Sequence, residues 1–477
     1  MTHDQSDMRS FLADADKAGV ALHINKPVDV ATEVAALCSE TFRPTIFHNL
    51  KGFEGFRLVD GLTRTRETQA LALGLDCPPN QVIPSYAARL AEGPGSVVQV
   101  NTSPAQEVVW ENDDIKLSRL PIPVESEGMD LPHLGIEKAD FRTPCISGGI
   151  VITKHPETGE QNTFFTMAQV VSDNRIHFFM LPGHTQENVE AWAARDERCP
   201  MAIVIGCHPA YEFGAAYTGP HDGFSELHIA SRLLGAPVPL VKGKTVDLDL
   251  PANSEIIIEG FIDPDRQPYL HVSSHTDTHA PIFSREPFLD VTAITMRKDP
   301  IYRQIQPTRF TEHHSLAEFI GAPMVFMHLK SMGLEVHDVA MPLHGGGNLL
   351  VIQMTARAKA EVHAVLEAIT SMTMAPRMTV IVDDDIDIYS AEDLLYAMAI
   401  RGDGSNALVT YTDDGRSYPE PLTALVNGPS GRFTPLPNNR WGMDATKPAL
   451  DEPERRLEFS RLQARSEATV KLADFMD

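Results

Sequence analysis

This 477-residue sequence lacks paired cysteines and an excess of positive charge. It has 40 lysines and arginines against 65 aspartates and glutamates, which gives a formal net charge of −25. A surface this acidic repels nucleic-acid phosphates and anionic lipid heads, so we expect neither nucleic acid nor a membrane as a partner. The cysteines are odd in number and form no Cys-x-x-Cys pair, which argues against a disulfide framework and a zinc ribbon: Cys38, Cys77, Cys145, Cys199 and Cys207.

The sequence also lacks a long hydrophobic run, since no stretch approaches the roughly 18–20 apolar residues that a membrane helix needs. Its first twenty residues are polar and have neither the basic start nor the apolar stretch of a signal peptide. Hydrophobic residues make up 43% of the chain and charged residues 22%, which is enough apolar material for a core without disulfides. We therefore expect a soluble cytoplasmic protein.

Three regions differ in their hydrophobic patterns, and we predict one domain for each. Residues 1–115 combine helical periodicity with short strands, as in a small α+β domain. Residues 116–315 contain many short β-rich runs and two helices, which indicates a barrel-like sheet. Residues 316–477 show a βαβ pattern, with VFMHLK predicted as a strand and the charged stretch 452–477 as one long helix. The predicted fold class is α/β, in the α+β sense.

Two polar side chains of the central region stand at turns. Asn162 follows the turn 156–159 and enters an apolar strand, where an amide usually serves as a turn cap. His184 follows Leu-Pro-Gly, so it would be displayed just before a helix, where an imidazole can ligate a metal or donate to a phosphate. For an isolated histidine, an exposed loop position without a function is the commoner explanation.

Glu226 opens a predicted helix that Asp222 or Ser225 could cap. A carboxylate in the first turn suits the helix dipole, which by itself explains its presence. Together with an amide oxygen and an imidazole, it would instead complete a mixed oxygen and nitrogen site suited to Mn²⁺ or Mg²⁺ beside a phosphate.

Three histidines stand four residues apart in the segment HVSSHTDTH, with an aspartate among them. On a helix His271, His275 and His279 would share one face, but Ser, Thr and Val dominate here and favour an extended or loop conformation. Three interpretations stay open at this point: a metal site, an acid–base cluster and a solvated loop.

These features fall, in order and at fitting intervals, on the pattern of the UbiD family of reversible decarboxylases, which the sequence resembles over nearly its whole length. The most specific match is MAIVIGCHPA, followed by SELHIASRLLGAPVPLVKGKTVDLDLPANSEIIIEGFIDP and later by TVIVDDDIDIYSAEDLLYAMAIR and WGMDATK. The resemblance implies a UbiD-like fold, with a small α+β N-terminal domain, a split β-barrel flavin-binding domain and an α/β C-terminal oligomerisation domain.

For the site, the resemblance implies prenylated FMN, with Mn²⁺ and K⁺ holding the cofactor phosphate. The metal ligands carry over to Asn162, His184 and Glu226. The flavin contacts and phosphate ligands match a larger set, made of Asn162, Phe165, Thr166, Met167, Phe179, Met180, Leu181, His184, Thr185 and Glu226. The resemblance also implies a flavin prenyltransferase as cofactor supplier and a homodimer or homohexamer.

The sequence departs from the family where a Glu–Arg–Glu network normally lies beside the flavin. The arginine position is occupied by Met167, which offers an apolar contact and cannot pair with a carboxylate. The two acid positions fall in LHVSSHTDTH, where His271 and His275 are offset by four residues instead of five. Because histidine titrates near neutrality, we expect His271 or His275 to protonate the product carbanion, with Asp277 orienting it.

The resemblance predicts reversible, non-oxidative decarboxylation of an aromatic or α,β-unsaturated carboxylic acid, with the cofactor as electron sink. An aromatic acyl-CoA thioester is an attractive substrate, as in the phthaloyl-CoA decarboxylase branch, because the departures mark an atypical member. Two alternatives stay open. The chain could be a flavin-binding partner subunit of a carboxylase complex, inactive alone, or a metallohydrolase that uses His271, His275 and His279.

Overall fold

The computed structural model describes most of the chain, and it describes the backbone alone at 264–273, 280–286, 370, 408–409, 411–412 and 439. The described residues are 6–124, 144–165, 167–178, 180, 183–219, 223–273, 280–306, 312–370, 372, 376–402, 408–412 and 439–462. Among them, no helix has the length and apolar character needed to cross a membrane.

The N-terminal segment packs short helices against a small sheet. Its first helix buries one face, made of Met8, Phe11, Leu12 and Ala15, as its helical periodicity predicts. The elements are α1 (Met8–Lys17), β1 (Leu22–Ile24), α2 (Val34–Ser39), β2 (Thr45–Phe47), β3 (Arg57–Asp60), α3 (Arg66–Ala72), α4 (Val82–Ala91), β4 (Val97–Gln99) and β5 (Val108–Glu111).

The central region is built on one nine-stranded, largely antiparallel sheet. The elements are β6 (Cys145–Ile146), β7 (Gly149–Lys154), β8 (Gln161–Phe165), β9 (Ala168–Ser172), β10 (Arg175–Phe178), α5 (His184–Ala193), β11 (Pro200–Ile205), α6 (Pro209–Ala215), α7 (Glu226–Leu234), β12 (Val238–Lys242), β13 (Asp249–Pro251), β14 (Ile256–Ser273), β15 (Ala280–Met296) and β16 (Ile301–Arg303). The strand order of the large sheet is β6-β9-β10-β15-β14-β11-β7-β8, and β5 pairs with β15.

The last strand of this region does not join its own large sheet. β16 pairs in parallel with β3, and so completes the four-stranded sheet β1-β2-β3-β16 of the N-terminal segment. The first two regions therefore share a sheet.

The C-terminal region begins with a long helix and continues as a five-stranded sheet. The elements are α8 (Glu312–Ser331), β17 (Val336–Ala340), β18 (Leu349–Met354), α9 (Lys359–Thr370), β19 (Met378–Val382), α10 (Ala391–Arg401), β20 (Leu408–Thr412), β21 (Asn439–Asp444) and α11 (Pro453–Glu458). The strand order is β17-β18-β19-β21-β20, with parallel central strands and antiparallel edge pairs.

Two secondary-structure predictions for this region are wrong. The run VFMHLK lies inside α8, where the buried positions Leu316, Phe319, Ala322, Val325 and Leu329 recur three and four residues apart. A run of six residues is too short to separate a buried helix from a strand, and the periodicity of the longer segment decides for the helix.

The long terminal helix is also shorter than predicted. α11 ends at Glu458, and three residues later Arg461 pairs with the carboxylate of Asp393 at 2.8 and 2.9 Å and lies over the Tyr396 ring. This contact with α10 holds the chain away from a helical continuation. Residues 463–477 lie outside the described part of the chain.

A buried ion-pair cluster links the three regions. The Arg303 guanidinium, on β16, is fully buried and donates to both carboxylate oxygens of Glu212 on α6, at 2.7 and 2.9 Å. It also pairs at 2.6 Å with Glu312, the first residue of α8. Asp60 of β3 lies close by, and its burial raises the pKa of its carboxyl. Since unpaired buried charges are strongly unfavourable, this arginine fixes three elements at one point.

We predict that Arg303→Leu destabilises the protein by about 3–5 kcal/mol, because it leaves buried carboxylates without their cation. The matched control is Arg57→Leu on the neighbouring strand β3. Arg57 pairs with the exposed Asp299 at 3.3 Å, so its loss should cost less than about 1 kcal/mol. Urea unfolding followed by tryptophan fluorescence measures both changes, and equal losses would contradict the account.

Candidate cofactor and metal site

A hairpin presents the first candidate ligand. β7 and β8 pair antiparallel, and the turn between them is held by His155, whose Nδ1 accepts the backbone N–H groups of Glu157 and Thr158. This is the tight turn predicted from the sequence. It places Asn162 on β8, where its Nδ2 donates to Thr185 Oγ1 at 2.7 Å.

The start of α5 presents the second candidate. Gly183 has φ +154°, a conformation that side-chain-bearing residues rarely adopt, and it lets the chain turn directly into the helix. His184 is the first residue of this helix, whereas the sequence predicted it just before the helix. At this position the backbone N–H groups of the first turn have no partner within the helix, which favours an anion nearby. Asn188, one turn further on, donates to Thr153 Oγ1 at 3.0 Å and fixes α5 to the hairpin.

Glu226, the third candidate, is the first residue of α7 and only 4% of it is exposed. Its Oε2 accepts the backbone N–H of Thr163 at 2.9 Å. Burial raises the pKa of the Glu226 carboxyl to about 7, which hydrogen bonds from backbone N–H groups only partly offset. A cation nearby would lower this pKa again and so favour the ionised carboxylate.

Two hydrogen bonds bring the three candidates together. Glu226 is bonded to the residue after Asn162, and Asn162 is bonded to the residue after His184. A carboxylate oxygen, an amide oxygen and an imidazole nitrogen form a mixed donor set that suits Mn²⁺ or Mg²⁺. The residues present therefore fit a divalent cation beside a phosphate at the start of α5.

The predicted flavin contacts are placed in part. Phe165 is half-buried at the end of β8, while Met167, Met180 and Thr185 are buried. Met167 thus occupies the predicted arginine position as a buried apolar side chain. Thr166, Phe179 and Leu181 lie outside the described residues.

The first of the predicted proton donors lies on a strand of the large sheet. His271 lies on β14 with its backbone paired to Ile282 of β15, so the expected extended conformation is confirmed at that residue. The side chain of His271 and all of His275 and Asp277 lie outside the described residues. Within the described part of the chain, no group of three or more His, Cys, Asp and Glu side chains is arranged to hold a metal ion.

Sequence reasoning missed the residues that hold the site in place. Asn188 and Thr153 dock α5 on the hairpin, and the Thr163 backbone orients Glu226. A signal for Asn188 was available, since it stands four residues after His184 and so shares its helix face. The Thr163 contact carries no sequence signal, because any residue supplies a backbone N–H.

Three domain models match the chain one after another. They are the 3-octaprenyl-4-hydroxybenzoate carboxy-lyase N-terminal domain at residues 12–90, its Rift-related domain at 96–310 and its C-terminal domain at 314–424. A decarboxylase is the class of enzyme that these matches define. The chain belongs to the UbiD family of carboxy-lyases, which confirms the resemblance seen in the sequence.

Known relatives are similar over almost their full length. Anhydromevalonate phosphate decarboxylase of Methanosarcina mazei is 26% identical, over 93% of this chain and 97% of the relative. An evolved dimeric form of the UbiD-class enzyme HmfF from Pelotomaculum thermopropionicum, in complex with prenylated FMN, is 26% identical with a TM-score of 0.83, over 99% of this chain and 100% of that one. The 3,4-dihydroxybenzoic acid decarboxylase of Enterobacter cloacae, 23% identical over 96% and 97% of the two chains with a TM-score of 0.82, shares the fold.

We predict that Thr185→Val weakens FMN binding by about five- to tenfold, since it removes the hydroxyl that fixes the Asn162 amide at the site. Thr153→Val is the matched control: it removes a hydroxyl on the strand position opposite Asn162 that docks the same helix through Asn188. Its effect on FMN binding should stay within about threefold. Titration of flavin fluorescence measures both, and equal effects would show that helix docking alone is responsible.

Proposed function

We propose that the chain is a prenylated-FMN-dependent decarboxylase that acts reversibly on an aromatic or α,β-unsaturated carboxylic acid. The observation that carries this proposal is the buried Glu226 carboxylate, which accepts the backbone N–H of Thr163, next to Asn162. Asn162 in turn donates to Thr185, the residue after His184. The prenylated FMN bound by the similar HmfF structure supports the choice of flavin.

In this proposal Asn162, His184 and Glu226 would hold the cofactor phosphate through Mn²⁺, with K⁺ as a second ion. Phe165, Met167, Met180 and Thr185 would contact the flavin. The resemblance assigns the same role to Thr166, Phe179 and Leu181, which lie outside the described residues. When bound, the cofactor supplies an electron sink for the bond that releases CO₂. The protein's residues then have three tasks: to orient the acid, to exclude water and to deliver a proton.

Proton delivery is the step at which this chain must differ from the usual family pattern. With methionine at position 167, a carboxylic acid partner would lack the cation that normally fixes its ionisation. We infer that His271 or His275 donates the proton and that Asp277 orients the imidazole. Because an imidazole ordinarily titrates near neutrality, it can donate a proton near neutral pH.

The substrate class stays broad in this proposal. The relatives' names refer to anhydromevalonate phosphate and to 3,4-dihydroxybenzoic acid, which are different acids. An aromatic acyl-CoA thioester remains the narrower proposal that the Met167 departure suggests. We also infer a homodimer or homohexamer in the cytoplasm that receives its cofactor from a flavin prenyltransferase.

We predict that the protein purified with prenylated FMN supplied shows the flavin absorption spectrum and about one manganese per chain. Glu226→Gln keeps the shape and removes the charge, so it should lower manganese affinity by at least about tenfold. Glu190→Gln, on the exposed face of α5, is the control and should leave metal content unchanged. Absorption spectroscopy and elemental analysis are the measurements. A flavin-free protein carrying stoichiometric zinc would overturn the proposal.

We predict that His275→Asn slows decarboxylation by about 10²–10⁴-fold, since a positioned proton donor contributes about that much. Deuterium exchange into the product should slow with it. His279→Asn is the control in the same segment and should leave both rates within about twofold. Unchanged rates in the His275 variant would move the proton donor to His271 or elsewhere.

A further inference from the structure

One face of α8 is fastened to the N-terminal segment by three polar side chains, Glu312, Ser315 and Glu318, which we call the α8 staple. At about 100° per residue these positions lie on one side of the helix. Glu312 accepts the backbone N–H of Gly61 at 3.0 Å and the hydroxyl of Thr63 at 2.7 Å. Ser315 donates to the Thr63 carbonyl at 2.9 Å. These contacts fix the rotation of the helix about its axis.

Glu318 extends this attachment to the C-terminal sheet. One oxygen of its buried carboxylate, Oε1, accepts both the Arg66 guanidinium at 2.6 Å and the backbone N–H of Met341 at 2.7 Å. The Arg66 guanidinium also lies 5.0 Å from the centre of the Tyr389 ring, and the Tyr389 hydroxyl donates to Asp338 on β17. A single carboxylate thus joins the N-terminal segment, α8 and the residue that follows β17.

The opposite face of α8 carries a half-buried apolar stripe, made of Ala317, Ile320, Met324 and Met327, about half a turn away from the staple. Ile320, Met324 and Met327, like Met341, also pack against the buried hydrophobic core. The Ile320 carbonyl accepts the hydroxyl of Thr218 at 2.9 Å, on the loop that leads from α6 to Glu226. Beside the stripe, the sulfur of Met341 lies 3.8 Å from the position that a Cβ on Gly321 would take. The stripe therefore borders the segment that carries the candidate metal ligand.

We propose that Glu318 is a positioning residue for the reaction. It seats Met341 and the loop 341–348 against α8, so that the stripe and Met341 form an apolar wall for the unsaturated part of the substrate. A charge-assisted hydrogen bond shared by a guanidinium and a backbone N–H is geometrically restrictive, so a side chain without this oxygen cannot hold both partners. Ile and Met side chains suit a planar apolar ligand. The role of Glu318 in the reaction rests on the proposed function, whereas its contact with Met341 does not.

Hydrogen–deuterium exchange on the flavin-free full chain tests the contact itself. In Glu318→Ala the amide of Met341 loses its acceptor, and exchange of the loop 341–348 should rise at least about tenfold. Glu318→Gln keeps an oxygen for that amide and should stay within about threefold. The matched control is Glu361→Ala, because Glu361 also holds a backbone N–H, that of Arg357 at 2.9 Å. It should leave the loop unchanged, and unchanged exchange in Glu318→Ala would overturn the proposal.

Steady-state kinetics of the prenylated-FMN holoenzyme test the consequence. Glu318→Ala should raise KM about fivefold while kcat stays within about twofold, and Glu318→Gln should restore most of the KM. A fall in kcat with unchanged KM would overturn the positioning role. Absence of turnover in the unsubstituted enzyme would contradict the proposed function, whereas the exchange result would still decide the Glu318 contact.

Discussion

The buried Arg303 guanidinium is the interaction on which the rest of the architecture depends. It sits on the strand that completes the N-terminal sheet, and it pairs with Glu212 of α6 and Glu312 of α8. α6 packs against α7, whose first residue is Glu226, and α8 leads into the C-terminal sheet. One charge cluster therefore sets the relative positions of α6, which packs on α7, and α8. Because these groups are buried, loss of the arginine would leave both carboxylates without their cation.

The candidate site needs few contacts beyond this ion-pair cluster. Two turns and two helix starts carry the donor groups, and two hydrogen bonds connect them. Burial raises the pKa of the Glu226 carboxyl to about 7, because the ionised form is removed from water. Charged groups held in this way are common at functional sites, because a bound ion offsets their burial. The resemblance and this buried carboxylate both favour a divalent cation at the start of α5.

Local sequence signals predicted the turns and the helix start that carry Asn162, His184 and Glu226, because these features are encoded within a few residues. The role of the three residues as metal ligands came from the resemblance and stays a prediction. The strand predicted at VFMHLK was wrong because the helical period becomes visible only when the residues before the run are included. The pairing of β16 with β3 and the Glu312 contacts with Thr63 join residues about 250 positions apart, which no local pattern encodes.

The most direct test of the central claim is the position of the metal. Anomalous diffraction at the manganese absorption edge, from crystals of the protein loaded with prenylated FMN and manganese, locates the ion independently of any substrate. The account predicts one peak within about 2.5 Å of an oxygen of Glu226, with Asn162 and His184 as its other side-chain ligands. A peak among His271, His275 and His279, or a bound flavin whose phosphate lies away from α5, would contradict it.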